Sequence, residues 1–401
     1  MPDQRRPEPG MSLCLSGGGY RAMLFHVGCL WRLNELGRLP DIRHVSSVAA
    51  GAITAGALAL AWRGLRFDSL GVAHDFEDGL VRPLRSLASE TLDGWCVFGS
   101  AFSPMSGAAI LADAFDQYLF KGSVLEDMPE DQDGAAPRFI FSATNLQSGA
   151  LFSFSRSRVW DGRHGDFPAA RLRVAFAVAA SSALVPMFSP LPLQDQQRGN
   201  AAPQGHDGDG STRYTALLTD GAVLDPLALE EVSTCSTAPF VCDGGESVPD
   251  TVPKIEWFEH IARVLTLMHE QARSRQRAKL LDALPRPNTH ALNLSGGAYC
   301  SIDAPQGMHA NEGIVGSMSM PTATAITRYE AMDAGCQEEL INRGYGVCDA
   351  AIRRWNPRSE VARAHLPYAA DVVTLDAGHT HAAAPRTDHI PNAGAVQCPP
   401  A

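Results

Sequence analysis

The stretch that decides the fold is His44-Val45-Ser46-Ser47-Val48-Ala49-Ala50-Gly51-Ala52-Ile53. A strand-like run over residues 42–48 breaks at small residues and continues directly into an Ala/Leu-rich helical pattern over residues 51–60. A strand that turns sharply into a helix at small residues is typical of a nucleophile elbow, which presents one residue at its apex. That residue is Ala49. The pattern therefore predicts an elbow whose apex carries no hydroxyl.

A glycine-rich turn precedes this stretch. Residues 11–15 form a short apolar strand, and the turn Ser16-Gly17-Gly18-Gly19-Tyr20-Arg21-Ala22 leads from it into an amphipathic helical pattern. Such a turn exposes unpaired backbone N–H groups at the positive end of a helix, which suits an anion. Three glycines also serve any tight turn, so both interpretations remain open at this point.

A third segment places an aspartate after an apolar run. Residues 217–219 are followed by Asp220-Gly221-Ala222, in which the glycine lets the chain turn away. An Asp-Gly pair alone is most often only a turn. Its position after the two earlier motifs is what makes it informative.

The ordered set of three motifs resembles the patatin-like phospholipases. Their signatures are G-G-G-x-[RK]-G, G-x-S-x-G and D-G-[AG], and residues 17–22, 47–51 and 220–222 fall on them in that order. The resemblance covers roughly residues 11–355, and residues 340–349 look like a late helix of bacterial members. It implies a three-layer α/β/α fold with a central, mostly parallel sheet, which agrees with the alternating strand and helix patterns near the start of the chain.

The chain departs from the family pattern at three positions. Ala22 replaces the last glycine of the turn, Ser47 replaces the first glycine of the elbow, and Ala49 stands at the position of the nucleophilic serine. Two explanations compete for Ala49: a deliberate Ser-to-Ala substitution, or a natural pseudoenzyme. The other motif residues are intact, which favours substitution. Ser46 and Ser47 precede the turn on a strand, so neither is predicted to replace the missing nucleophile.

The resemblance assigns a role to each motif residue. A serine at position 49 would attack an ester carbonyl, with Asp220 as its base and no histidine involved. The oxyanion would be held by backbone N–H groups of Gly17, Gly18, Gly19 and Ala50. Arg21 would orient the turn, meet a substrate phosphate, or form a structural salt bridge. The supporting motif residues are Ala22, Ser47, Gly51, Gly221 and Ala222.

The implied activity is that of a phospholipase A-type lipid acyl hydrolase that meets lipid from the aqueous side, in peripheral contact with a membrane. Because loss of a nucleophile costs about 10⁶-fold in rate in a serine hydrolase, this chain itself is expected to be inactive. The alternative is a non-catalytic lipid- or ligand-binding module in the same fold. A further possibility is a regulated membrane-degrading bacterial effector, for example an antiviral one, with a nucleotide second messenger as activator and a homo-oligomeric state.

The composition of the chain limits which binding partners and cofactors we expect. The net charge of −11 argues against nucleic acid as a partner, because phosphate binding depends on basic surface. Nine cysteines without a C-x-x-C pair suggest neither a disulfide framework nor a zinc site, so we expect no metal and no cofactor. Residues 1–10 are charged and proline-rich without an apolar stretch behind them, which predicts no secretory signal and a cytoplasmic location.

The predicted organisation is one acyl hydrolase domain between flexible ends. The predicted segments are a flexible N-terminus (1–10), the domain (11–375), a mostly helical insertion inside it (64–137), mobile loops (195–213 and 231–252) and a disordered tail (376–401).

The longest helical pattern covers residues 255–284. Its apolar stripe predicts that one face is buried against the core; the stripe consists of Phe258, Ile261, Val264, Leu265, Met268, Leu280 and Leu281. Its basic cluster is either a solvated face or a contact for lipid headgroups; the cluster consists of Arg273, Arg275, Arg277 and Lys279.

Overall fold

A ten-stranded sheet organises the part of the chain that the structure describes. The structure is a computed structural model that describes residues 8–92, 107–130, 136–167, 171–185, 187–194, 215–233, 236–245, 257–284, 297–304, 329–355 and 361–368. The strands are β1 (Glu8–Leu15), β2 (Ile42–Ser47), β3 (Arg138–Asn145), β4 (Ala150–Phe154), β5 (Val159–Asp161), β6 (Gly165–Phe167), β7 (Leu191–Gln194), β8 (Thr215–Asp220), β9 (Ser236–Asp243) and β10 (Ala298–Ser301).

The central strands are parallel. Their order is β10-β9-β1-β2-β3, with every neighbouring pair parallel, and the sheet continues through β4, β5 and β6 as antiparallel neighbours. β8 runs antiparallel to β3 and carries β7 on its other side. The prediction of a central, mostly parallel sheet is confirmed.

Eight α-helices accompany the sheet within the described residues. They are α1 (Gly19–Glu35), α2 (Ala50–Trp62), α3 (Arg82–Ala88), α4 (Gly107–Phe115), α5 (Val174–Ser182), α6 (Glu230–Ser233), α7 (Trp257–Ala283) and α8 (Ala334–Trp355). Single π-helical turns at Glu77–Val81 and Asp116–Phe120 precede α3 and extend α4. α2 is apolar all round and almost wholly buried, as expected of a helix inside the core.

The two faces of the sheet carry separate apolar clusters. Leu13 and Leu15 of β1 belong to the larger cluster, with α1, α2, α5 and α8. Cys14, which points to the other face, belongs to a smaller cluster with Leu280 and Ala283 of α7. Because successive strand residues alternate between faces, helices lie on both sides of the sheet, as a three-layer fold requires.

Some predicted boundaries are wrong. The predicted loop over residues 231–252 contains β9, a strand in the middle of the parallel run, and β1 begins at Glu8 rather than at residue 11. The β9 sequence Ser-Thr-Ala-Pro-Phe-Val-Cys-Asp contains a proline, which conceals its strand character. The predicted loop at 195–213 and the predicted tail at 376–401 lie outside the described residues.

The predicted burial of the α7 stripe is also wrong for most of its members. Only Leu280 is buried, whereas Ile261, Val264, Leu265, Met268 and Leu281 are exposed, and the side chain of Phe258 is not described. Among the described helices, none combines the length and apolar character needed to cross a bilayer.

Candidate active site

Two strand ends meet along one side of β3. β2 pairs with β3 up to Ser47, opposite Phe141, and β8 arrives from the other direction and stops at Asp220, opposite Ala143. β4 pairs with residues 141–145 of β3, so it occupies the opposite side of that strand. The turn that follows β2 and the last residue of β8 are therefore brought to the same level of the sheet, although 171 positions separate Ala49 from Asp220 (220 − 49).

Ala49 has the backbone geometry of the predicted elbow. It lies between β2 and α2 with φ 50° and ψ −123°, a region that residues with a side chain rarely adopt. The turn is held by the Gly51 N–H, which lies 3.1 Å from the Ser16 carbonyl and 2.9 Å from the Val48 carbonyl. Ala49 is only 2% exposed. A strained residue at the apex of a strand-to-helix turn is thus present, and its side chain is a methyl group.

Gly17 connects the first motif to the other two. A Cβ built on Gly17 would lie 3.0 Å from the Ala49 Cβ and 3.8 Å from the Ala222 Cβ. The glycine-rich turn therefore lies directly against the elbow and against the segment that follows Asp220. All three motifs therefore converge in space.

Two other motif glycines allow close approach of backbone. A Cβ on Gly51 would lie 2.1 Å from the Leu15 carbonyl oxygen, and a Cβ on Gly221 would lie 1.9 Å from the Ser142 carbonyl oxygen. Real Cβ atoms do not approach an oxygen so closely. These glycines are required by packing between the turns and the neighbouring strands β1 and β3.

Asp220 is buried, and hydrogen bonds hold both its backbone and its side chain. It is 1% exposed, its Oδ1 accepts the Ala222 N–H at 2.8 Å, and its own N–H donates to the Ala183 carbonyl at 3.2 Å. The Thr144 hydroxyl donates to the Asp220 carbonyl at 2.9 Å. Its carboxylate therefore has a fixed orientation at the start of the short helical turn Gly221–Val223.

The glycine-rich turn leads into α1, as predicted. Gly18 (φ 140°) is the N-cap of α1, and Gly19 (φ 68°) is its first residue. Gly19 and Ala50 each begin a helix, so no carbonyl of their own helix can accept their N–H groups. The Cβ of Ala22 occupies the space beside Gly18 and Gly244, and a Cβ on Gly244 would lie 2.4 Å from it. Gly244, which has no side chain, thus leaves room for Ala22 at the sixth position of the motif.

The remaining motif residues lie nearby with different surroundings. Ser47 is buried, and its hydroxyl donates to the Ile140 carbonyl at 3.0 Å, so it ties β2 to β3. Ser46 is also buried within β2. Arg21 lies in the first turn of α1 and is partly buried.

Ser181 was not predicted as a site residue. Its hydroxyl in α5 accepts the Ala49 N–H at 2.9 Å and donates to the Ser142 carbonyl at 2.7 Å. The small-residue segment Ala179-Ala180-Ser181-Ser182-Ala183 is the signal that the sequence offers here, but the hydrogen bond to the elbow depends on the tertiary structure.

A buried ion pair behind the turn was also missed. Arg273 of α7 donates to Asp243 Oδ1 at 3.0 Å, and both side chains are almost wholly buried. Asp243 also accepts the Gly245 N–H at 3.0 Å and the Tyr299 hydroxyl at 2.6 Å, and the Ser16 hydroxyl lies 3.4 Å from it. Burial and the Asp243 carboxylate together raise the pKa of Tyr299. Arg273 of the predicted basic cluster is therefore neither solvated nor a headgroup contact.

The described residues contain no group of three or more histidine, cysteine or acidic side chains arranged to hold a metal ion. What the site does contain is a strained apex, a fixed carboxylate and two helix N-termini.

Comparison with known proteins identifies the family. The model of the patatin-like phospholipase family matches residues 13–233, more than half of the chain, and the chain belongs to that family. All three motifs fall inside the matched region. No curated protein sequence matches the chain.

Two solved structures of one human enzyme share the fold. Human GIVD cytosolic phospholipase A2 in complex with methyl gamma-linolenyl fluorophosphonate and terbium chloride matches 85% of this chain with a TM-score of 0.51 at 13% identity. The complex without terbium matches with a TM-score of 0.50 at 14% identity. The chain spans 57% of the length of each of these two structures. VipD from Legionella pneumophila matches with a TM-score of 0.35 at 14% identity, over 88% of this chain and 67% of its own.

Proposed function

We propose that this site is that of a lipid acyl hydrolase with a Ser-Asp dyad, in which Ala49 occupies the position of the nucleophile. The observation that carries the proposal is the strained backbone of Ala49 at the strand-to-helix apex, in contact distance of Gly17 and level with Asp220. Such strain costs about 1–3 kcal/mol and is retained at functional sites. The strain has no use for an alanine methyl group, whereas it would present the hydroxyl of a serine to a substrate.

The chemistry follows from the positions of the groups. With serine at position 49, Oγ forms a bond to the acyl carbonyl carbon while its proton passes to the Asp220 carboxylate. The carbonyl oxygen becomes an oxyanion beside the N–H groups of Ala50 and the glycine-rich turn. Collapse expels the alcohol, which takes the proton back from Asp220. Water then attacks the acyl-enzyme by the same route and releases the fatty acid.

The chain with Ala49 keeps the base and the oxyanion donors but has no nucleophile. We therefore propose that it binds an acyl substrate and does not cleave it. The related human enzyme is described in complex with a gamma-linolenyl compound, which supports a long-chain acyl ester of a phospholipid as the substrate class. Binding without turnover is the behaviour expected of this exact sequence, whatever the origin of Ala49.

Ala49→Ser tests the proposal. The variant is incubated with mixed phospholipid vesicles beside the parent chain and Ala49→Ser/Asp220→Asn, and released fatty acid is measured by mass spectrometry. Only Ala49→Ser is expected to release fatty acid. A fluorophosphonate probe should likewise label Ala49→Ser and not the parent, because labelling needs the new hydroxyl.

Absence of both hydrolysis and labelling in Ala49→Ser would reject the dyad. Release of fatty acid by the parent chain would place the nucleophile elsewhere. A correctly folded variant is established beforehand by its thermal unfolding.

The remaining proposals rest on the resemblance. They are peripheral contact with a membrane, a cytoplasmic location, a role as a regulated bacterial effector, a nucleotide second-messenger activator and a homo-oligomeric state. A thermal-shift series with cyclic di- and trinucleotides tests the activator, since a ligand that binds only the folded state raises its unfolding temperature.

A further inference from the structure

The N-terminal half of α7 presents its apolar residues to solvent. Val264 is 54% exposed and Met268 is 64% exposed. The other exposed apolar residues in this half are Trp257, Ile261, Leu265 and Leu267. Five of the six follow the spacing i, i+4, i+7, i+8 and i+11, so they form one continuous stripe along the helix.

The polarity of this half is inverted relative to an ordinary surface helix. The less exposed positions in the same half include Ala262 and Arg263, a small residue and a charged one. Arg273, ten residues after Arg263 on the same helix, is buried against Asp243. The apolar stripe therefore faces away from the protein. The less exposed positions of this half are small or charged, and the side opposite the stripe is also exposed at Thr266 and Leu267.

The direction of α7 places this stripe on the edge of the sheet that carries the site. Leu284, just beyond the end of α7, lies beside Gly297 ahead of β10, next to Pro239 inside β9, whereas Arg273 binds Asp243, the last residue of β9. The helix thus approaches the carboxyl ends of the parallel strands as it is followed from its C-terminus to its N-terminus. At 1.5 Å per residue, the 16 residues from Arg273 back to Trp257 extend about 24 Å past that contact.

The glycine-rich turn and the elbow lie at the same carboxyl ends. Leu15, the last residue of β1, pairs with both Ser47 and Cys242, so β1, β2 and β9 end together. Asp243 connects the two features directly, because it binds Arg273 on α7 and lies 3.4 Å from the Ser16 hydroxyl of the turn.

We propose that the stripe of Trp257, Ile261, Val264, Leu265 and Met268 inserts into the surface of a zwitterionic phospholipid bilayer and presents the site to it. The proposal rests on the lipid hydrolase function above and adds the surface by which the substrate is reached. An interfacial helix buries its apolar face at the boundary between headgroups and acyl chains. The stripe contains no charged residue, so burial of its apolar side chains would supply the binding free energy.

The net charge of the chain and the small extent of the stripe both favour a neutral bilayer as its binding partner. A net charge of −11 opposes a strongly anionic membrane. A standard protein interface uses roughly 20–30 residues on each side and about 800 Å² per partner, far more than the few side chains of this stripe. A helix that projects past the edge of the sheet can enter a lipid surface without such an area.

Vesicle binding by the Ala49 chain tests the proposal without any need for hydrolysis. Phosphatidylcholine vesicles are co-sedimented with the parent chain, with Val264→Glu/Met268→Glu, and with Thr266→Glu. Thr266 is exposed on the opposite side of the same helix turn, so it provides the matched control. We expect binding by the parent and by Thr266→Glu, and at least a tenfold loss for the double variant at unchanged unfolding temperature.

Failure of the parent to bind would overturn the proposal, as would an equal loss in Thr266→Glu. If the double variant instead converts an oligomer to a monomer in light scattering and keeps vesicle binding, the stripe is a self-association surface. In the Ala49→Ser background, the double variant should lose hydrolysis of vesicle lipid and retain turnover of a short soluble ester. Lack of turnover of either substrate by Ala49→Ser would reject the proposed function, whereas the binding result would still decide the role of the stripe.

Discussion

The hydroxyl of Ser181 joins the apex of the elbow to the central strand. It accepts the Ala49 N–H at 2.9 Å and donates to the Ser142 carbonyl of β3 at 2.7 Å. One buried side chain on α5 thereby fixes the position of the elbow relative to β3. It also explains how a strained backbone is maintained, because the N–H of the strained residue has its own dedicated acceptor.

Ser181→Ala should destabilise the protein by about 2–4 kcal/mol. The substitution leaves one buried donor and one buried acceptor unsatisfied, and each costs roughly 1–3 kcal/mol. Urea unfolding measures the loss. Ser182→Ala is the matched control, because the neighbouring Ser182 hydroxyl is buried with no hydrogen-bond partner among the described residues, and its removal should cost under about 1 kcal/mol. Equal losses in the two variants would contradict the proposed tie.

Ala49→Gly should stabilise the protein. A positive φ with ψ near −123° is costly for alanine and accessible to glycine, so the substitution relieves roughly 1–3 kcal/mol of strain against about 0.5–1 kcal/mol of added chain entropy. Ala57→Gly, in the regular interior of α2, should instead destabilise by about 1 kcal/mol. Thermal unfolding of both variants distinguishes the cases, and a loss of stability in Ala49→Gly would show that the apex is not strained.

The elements with local signals were predictable from the sequence. The turn at Gly17, the elbow at Ala49 and the aspartate at Asp220 are each encoded by neighbours in the chain, and the family resemblance supplied their common location. β9 was missed because its proline weakens the strand pattern. The face of α7 was wrongly predicted because periodicity identifies an apolar stripe but does not determine what covers it.

The ties that hold the site together could not be read from the sequence. Ser181 lies 132 positions from Ala49, and Arg273 lies 30 positions from Asp243. Such contacts depend on which helix crosses which strand end, a property of the assembled fold. A buried arginine also has the same sequence character as a solvated one, which is why the basic cluster on α7 was ambiguous.

Gly51→Ala should prevent the elbow from packing on β1. A Cβ at this position would lie 2.1 Å from the Leu15 carbonyl oxygen, so the start of α2 would have to move away from the strand. We expect a loss of roughly 2–4 kcal/mol, at the upper end of single substitutions. Gly79→Ala provides the control, since its nearest neighbour would be the Leu65 side chain at an ordinary 3.4 Å. That variant should be neutral or stabilised by up to about 1 kcal/mol.

Glu231 should make the stability of the protein depend on pH. Burial raises its pKa from an ordinary 4.5 to about 7, although the Ser153 hydroxyl, which donates to Oε1 at 2.6 Å, opposes the rise. Below pH 4.5 the group is protonated in both the folded and the unfolded chain, so no penalty exists. Between pH 4.5 and 7 the unfolded chain loses the proton first, and the folded state becomes progressively less favoured. Above pH 7 the loss of folding stability is complete. The rise of the pKa from 4.5 to about 7, converted at about 1.36 kcal/mol per pKa unit, corresponds to roughly 3 kcal/mol.

Glu231→Gln removes this ionisation and keeps an acceptor for Ser153. The difference in unfolding free energy between the variant and the parent should therefore grow by about 2–3 kcal/mol, in favour of the variant, as the pH rises from 4.5 to 8. Urea unfolding at both pH values measures the difference, and Glu126→Gln, at an exposed position, should show no comparable change. A gain for Glu231→Gln that is the same at both pH values would mean that repacking, and not the cost of ionising a buried carboxyl beside β4, accounts for its stability.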